Sequence, residues 1–196
     1  LRDEGSDPSW QRGGIGDHAA GLALTTGILA ALRTRDATGA GQVVEVSLMH
    51  TGFYILGNDV APALVTGQQP RRHDRKRPRN PLWNQYPTSD GRWLFLVMID
   101  SERYWPALCE ALDRRDLVDD ARFNGARPRF RNAIELVEIL DAAFRARTLA
   151  EWEKHLGSFP LIWAPVRSVV EPGQDPQARA AGMFSEVDHP TAGRFE

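Results

Sequence analysis

Residues 18–32, His-Ala-Ala-Gly-Leu-Ala-Leu-Thr-Thr-Gly-Ile-Leu-Ala-Ala-Leu, constrain this chain more than any other stretch. Only His18, Thr25 and Thr26 are polar there. A helix from His18 to about Arg33 would therefore be apolar on nearly every face, and such a helix is expected to be buried, not to lie on a surface. At this length it falls short of the roughly 20 apolar residues that cross a bilayer, and no signal peptide or longer apolar run stands out, so neither membrane insertion nor secretion is indicated. Asp17 follows Gly16 and precedes the apolar run, the place of an N-cap. There its carboxylate would meet free backbone N–H groups and the positive end of the helix dipole. Most residues in that position only cap; the same surroundings also hold an anion ready to react.

Arg33 and Arg35 suit the negative helix end, and Gly39 and Gly41 supply the stop. Gln42–Leu48 is rich in valine and reads as a strand, followed by a long apolar segment from Met49 to Val65. An apolar helix next to a strand calls for a sheet covered on both faces, and parallel strands need crossover units. One clear strand does not make that sheet. The remaining strands are expected from a partner chain or from further polypeptide.

Thr66–Pro70 has turn chemistry, and Arg71–Arg79 packs six Arg or Lys into nine residues. A solvated linker, a patch facing the phosphates of a ligand and a nucleic-acid contact all fit such a run, but a net charge of −2 argues against a general nucleic-acid coat. From Trp83 the pattern changes. Residues 84–88 and 92–98 flank Ser89-Asp90-Gly91, a hairpin signal. Ser101 reads as the cap of a helix to Leu112. Residues 129–147 have the period of an amphipathic helix, with Ile134, Val137, Leu140, Ala143 and Phe144 on its apolar face. Thr148 and Glu151 have the spacing of a capping box. Ile162–Val170 reads as a strand, Asp175–Ala181 as a short helix, and Phe184–Asp188 as a last strand before the turn at 191–196.

With 42% hydrophobic residues the chain can build a sizeable core. The single cysteine, Cys109, allows no internal disulfide and falls within a helical pattern, where a buried thiol is the expectation. His50, His73, His155 and His189 lack metal-ligand spacing, so no metal site is expected. Trp83, Trp93, Trp105, Trp152 and Trp163 are expected to pack in a core.

The run Gly16-Asp17-His18, then Gly27–Leu32, then Thr38-Gly39-x-Gly41-Gln42-Val43-Val44-x-Val46-Ser47-Leu48 resembles the signature of the family III CoA-transferases. This is the carnitine dehydratase/bile-acid-inducible protein F (CaiB/BaiF) family, to which alpha-methylacyl-CoA racemase is related. The likeness continues through Asn80-Pro81-Leu82, Thr88-x-Asp90-Gly91-Arg92-Trp93, Glu151-Trp152, Ala164-Pro165-Val166 and Asp175-Pro176-Gln177. It implies an α/β fold: 1–66 as the C-terminal part of a Rossmann-like large domain, 67–82 as a linker, 83–185 as a small α+β domain, and 186–196 as the start of a return segment. Family subunits interlock as dimers and are about twice as long, with most CoA contacts in an N-terminal half. The resemblance further implies a cytoplasmic enzyme acting on acyl-CoA and a carboxylic acid, with no permanently bound cofactor, no metal, no nucleic acid and no membrane. Asp17 would be catalytic; Trp10, Gly16 and His18 would face substrate, and Arg71, Arg72 and Arg75 the phosphates of CoA. Many family members carry a glycine-rich loop near the linker, and this sequence has none there. CoA transfer is the leading activity; a racemase or isomerase using Asp17 as a base, or a non-catalytic half-subunit, are the alternatives.

Overall fold

The computed structural model describes residues 13–70 and 73–196. The chain divides into two units, Leu1–Arg72 and His73–Glu196.

The described part of the first unit is helical. α1 runs Ile15–Thr38, longer at both ends than the apolar pattern predicts, because glycines in left-handed conformation bound it: Gly14 (φ 89°) before and Gly39 (φ 73°) after. The Gly39 N–H donates to the Arg35 carbonyl and closes the last turn. Thr25, Thr26, Thr34 and Thr38 each donate their hydroxyl to the carbonyl four residues back, so the helix satisfies its own polar side chains. At 24 residues, with mean hydropathy 1.3 over its most apolar 18-residue window, α1 has the length and composition to cross a membrane, contrary to the shorter helix expected. The burial expected for it is also not met, since Ala31 alone is buried. Leu22 is 73% exposed and Leu29 62%.

The expected strand at 42–48 does not form. A Val-rich segment becomes a strand only beside another strand, and among the described residues this unit has none. The segment instead runs back along α1. Its Val44 lies so close to Gly27 that a β-carbon there would sit 2.7 Å from Val44 Cγ1, and Leu48 Cδ2 lies 3.9 Å from the corresponding position at Gly16. The apolar stretch that follows is two helices, α2 (Leu48–Ile55) and α3 (Gly57–Thr66). Ser47 caps α2 by accepting from the His50 N–H at 3.1 Å.

The second unit is a small α+β domain. β1 (Trp83–Pro87) and β2 (Trp93–Val97) form the hairpin expected at Asp90-Gly91, with Trp83 opposite Val97 and Pro87 opposite Trp93. Gly91 takes the positive φ the turn requires (73°). β3 (Trp163–Pro165), shorter than the expected 162–170 strand, pairs antiparallel with the other edge of β2. The helices are α4 (Ser101–Ala111), α5 (Ala126–Arg131), α6 (Ala133–Phe144), α7 (Leu149–Leu156) and α8 (Pro176–Ala180). β4 (Val187–His189) and β5 (Gly193–Phe195) form a separate exposed ribbon. The single helix expected over 129–147 is broken at Asn132. There Leu136, Val137, Leu140 and Phe144 face the core, while Ile134 is exposed. Asp100, not Ser101, precedes α4; Ser101 is its first residue, and its hydroxyl accepts from Arg129 at 3.2 Å.

The core lies between the inner sheet face, through Leu94, Leu96 and Tyr86, and α4, α6 and α7. Trp152 is buried at its centre. It donates Nε1–H to the Phe144 carbonyl at 2.8 Å and packs edge-on against the Phe144 ring at 5.1 Å. Thr148 and Glu151 form the expected capping box at the start of α7. Cys109 is buried, and burial pushes its thiol up to about 12. Trp105 and Trp152 are core residues as expected, but Trp83 and Trp93 stand on the outer sheet face and are substantially exposed. Alternation along β1 and β2 places them on the sheet face away from Leu94 and Leu96.

Candidate active site

Asp17 occupies the first turn of α1 but is not its cap. Gly14 takes that position and offers no side chain to the helix, and Asp17 is the third helical residue. The first intrahelical bond runs from the His18 N–H to the Gly14 carbonyl at 2.8 Å. The N–H groups of Ile15, Gly16 and Asp17 thus have no intrahelical acceptor. A left-handed glycine offers no capping side chain, and among the described residues these donors have no acceptor at the positive end of a 24-residue dipole. Asp17 and His18 are exposed, and Gly16 is half-buried. Among the described residues no hydrogen bond or ion pair engages the Asp17 carboxylate. The His18 ring lies over Gly14: a β-carbon at Gly14 would come within 3.4 Å of it. His18 is therefore placed by the same turn that bares the helix end.

A second element reaches this turn that sequence reasoning missed. Because residues 40–47 return along α1, the start of α2 arrives at the start of α1, with Leu48 against Gly16. The available signal was Gly27: a glycine inside an otherwise apolar helix marks a close backbone approach.

The other expected ligand contacts fare differently. Trp10, Arg71 and Arg72 lie outside the described residues. Arg75, expected at CoA phosphates, is committed within the second unit. It forms a two-pronged ion pair with Asp141 (2.8 Å and 2.8 Å), donates to the Gln85 carbonyl at 3.2 Å, and lies 5.3 Å from the centre of the Trp93 ring. Burial raises the Asp141 pKa, but Arg75 and then Lys76 outweigh it, so the carboxyl is held below its ordinary range. The nearby carbonyl of Arg75 and the side chains of His73 and Tyr86 all converge on the buried Asn84. The segment after residue 72 is thus fastened to the sheet by its own polar groups. Among the described residues no cluster of three or more His, Cys, Asp or Glu has the arrangement of a metal site.

The match to known proteins is broad. The model of CoA-transferase family III fits residues 2–196, and the chain belongs to that family. It is 34% identical over 180 residues to the (R)-2-hydroxy-4-methylpentanoate CoA-transferase of Clostridioides difficile, covering 92% of this chain and 45% of that protein. It is 31% identical over 205 residues to the 2-methylfumaryl-CoA isomerase of Chloroflexus aurantiacus, covering 96% of this chain and 46% of that protein. Among solved structures, Rv3272 from M. tuberculosis superimposes with a TM-score of 0.76 at 25% identity, over 92% of this chain and 46% of that one. The chain spans about half the length of the curated relatives it matches.

Proposed function

We propose that the protein transfers CoA between carboxylic acids, with Asp17 as the group that carries the acyl unit. The observation that carries this reading is an exposed carboxylate in the first turn of a long helix whose N-cap is a glycine, so that the cap residue offers no side chain to the leading N–H groups. A carboxylate oxygen of Asp17 attacks the thioester carbonyl of the donor; the C–S bond breaks, CoA leaves as thiolate, and an acyl-aspartyl anhydride remains. The thiolate then attacks the aspartyl carbonyl, releasing the donor acid and leaving CoA on Asp17. The acceptor carboxylate displaces that thiolate to form a second anhydride. Finally the thiolate attacks the acceptor carbonyl, giving the new thioester and the free Asp17 carboxylate. Each addition generates an oxyanion, and open N–H groups at a helix end are suited to receive it.

An isomerase among the relatives shows that such proteins are not all named as transferases, and the second reading has Asp17 instead remove a proton from the carbon beside the thioester carbonyl. Hydroxylamine separates the two. With the full natural chain and an acyl-CoA, the transferase reading predicts a hydroxamate mass change confined to the Asp17 peptide and abolished in Asp17→Ala. Solvent deuterium entering the acyl group with no trapped adduct would support the base instead. If neither occurs in an otherwise folded protein, Asp17 is not catalytic and a non-catalytic role for the chain takes its place.

The exposed apolar side chains of α1–α3 support assembly as a homodimer, and Gly21, Gly27 and the many alanines of α1 suit close protein packing over lipid contact. We place the protein in the cytoplasm, with residues 1–66 serving as part of a large domain and 83–185 as the small domain.

A further inference from the structure

We infer that the second unit binds a monatomic anion, chloride or another halide, between Arg129 and the first turns of α4. The site lies within the second unit and does not depend on the reading of Asp17. Arg129, on α5, is 1% exposed, and Trp105, on α4, is 3% exposed. The guanidinium carbon lies 5.0 Å from the centre of the Trp105 ring. Arg129 donates from Nη1 to the Phe123 carbonyl at 2.7 Å and from Nη2 to the Ser101 hydroxyl at 3.2 Å, and Nη2 lies 2.9 Å from Glu102 Oε1. Its Nε–H and the Trp105 Nε1–H, both closed off from solvent, have no acceptor among the described residues. In the planar guanidinium fork Nε–H shares an edge with Nη2. It therefore faces the first turn of α4, where Ser101 and Trp105 stand one turn apart on the same helix face.

The chemistry of this cluster selects its ligand. Tryptophan and arginine offer only donors, and the Ser101 hydroxyl, which accepts from Arg129, donates to nothing among the described residues. A water molecule would accept from two of these groups but would bring two O–H donors of its own into a cluster that has no acceptor for them. A halide ion brings none. It also answers a charge: Arg129 is buried, whereas its carboxylate partner Glu102 is 58% exposed and already accepts from the Ala126 N–H. Asp100, ahead of α4, makes no side-chain cap, so the positive end of that helix adds to the same field.

Crystals of the full natural chain soaked in sodium bromide test this directly. Anomalous scattering is expected to place a bromide ion within hydrogen-bond reach of both Arg129 Nε and Trp105 Nε1. A water oxygen at that place, or bromide found elsewhere as an adventitious ion only, overturns the inference. In solution, replacing sodium gluconate with sodium chloride at constant ionic strength holds screening fixed, and an ion bound by the folded state alone raises the thermal midpoint as chloride increases. Trp105→Phe removes one donor and is expected to weaken the apparent chloride affinity about tenfold, the effect of one hydrogen bond to an ion. A midpoint indifferent to chloride, or the same chloride response in both proteins, overturns the inference as well.

Discussion

The two units treat their apolar residues in opposite ways. In residues 73–196 the sheet and α4, α6 and α7 enclose Leu94, Leu96, Leu140, Phe144 and Trp152, and the polar atoms among them are largely paired. In residues 13–70 three helices made of similarly apolar sequence bury almost nothing: Tyr54 and Val65 are each 87% exposed. The difference lies in partners and not in composition. The second unit holds both a sheet and the helices that cover it, whereas the first, among its described residues, holds helices without a sheet. A layer architecture needs both, because each element hides only one face.

The sharpest way to break this comparison is to separate the units. Residues 73–196 expressed alone are expected to unfold cooperatively in urea. Residues 1–72 alone are expected to aggregate or to show no cooperative transition, since exposed apolar helices gain little by staying apart. A monomeric, cooperatively folded 1–72 would show that its helices need no covering chain.

Within the second unit, Asp141 tests how far the core depends on the linker that precedes it. Asp141→Ala leaves Arg75 without its partner and is expected to cost about 3 kcal/mol, read from the urea midpoint. Its pH dependence has a definite sign. The folded pKa is depressed, so the stabilisation is complete above the unfolded value near 4 and is lost as pH falls below it. Glu171, held at about 2 by the Ser168 N–H and then by Arg92, acts in the same direction below its ordinary 4.5. Stability that stays flat from pH 5 to about pH 2 would contradict both assignments.

A smaller effect is expected at the close Gly27–Val44 contact of the first unit. Gly27→Ala places a β-carbon 2.7 Å from Val44 Cγ1. Overpacking of this kind costs about 1–3 kcal/mol, and Val44→Ala in the same chain should relieve it. The thermal midpoints of the single and double variants decide this; lack of rescue would mean that residues 40–47 are held elsewhere.

What could be read from the sequence follows the range of each interaction. The capping box at Thr148 and Glu151, the hairpin at Asp90-Gly91 and the short helix at 175–181 are local, and the structure contains all three, with Asp175 as the cap of α8 and not its first residue. The strand expected at 42–48 was misread because valine content reports only a preference, while a strand also needs a neighbour. The Arg75–Asp141 pair spans 66 positions, and no local pattern announces it. Trp83 and Trp93 have the residue type of a core but the strand phase of an outer face. At the candidate site, Asp17 was legible from Gly16 and the apolar run behind it. Its exact place in the turn was not, since the glycine that caps α1 lies three residues upstream of Asp17, where the cap was expected.

The claim that Asp17 carries the acyl group makes a prediction about oxygen atoms. Each full transfer leaves on Asp17 one oxygen that came from the acceptor carboxylate. With a heavy-oxygen-labelled acceptor acid, mass spectrometry should find the Asp17 peptide heavier by one oxygen isotope after a single turnover and by up to two after many, with every other acidic peptide unchanged. An unlabelled Asp17 after many turnovers would contradict the account.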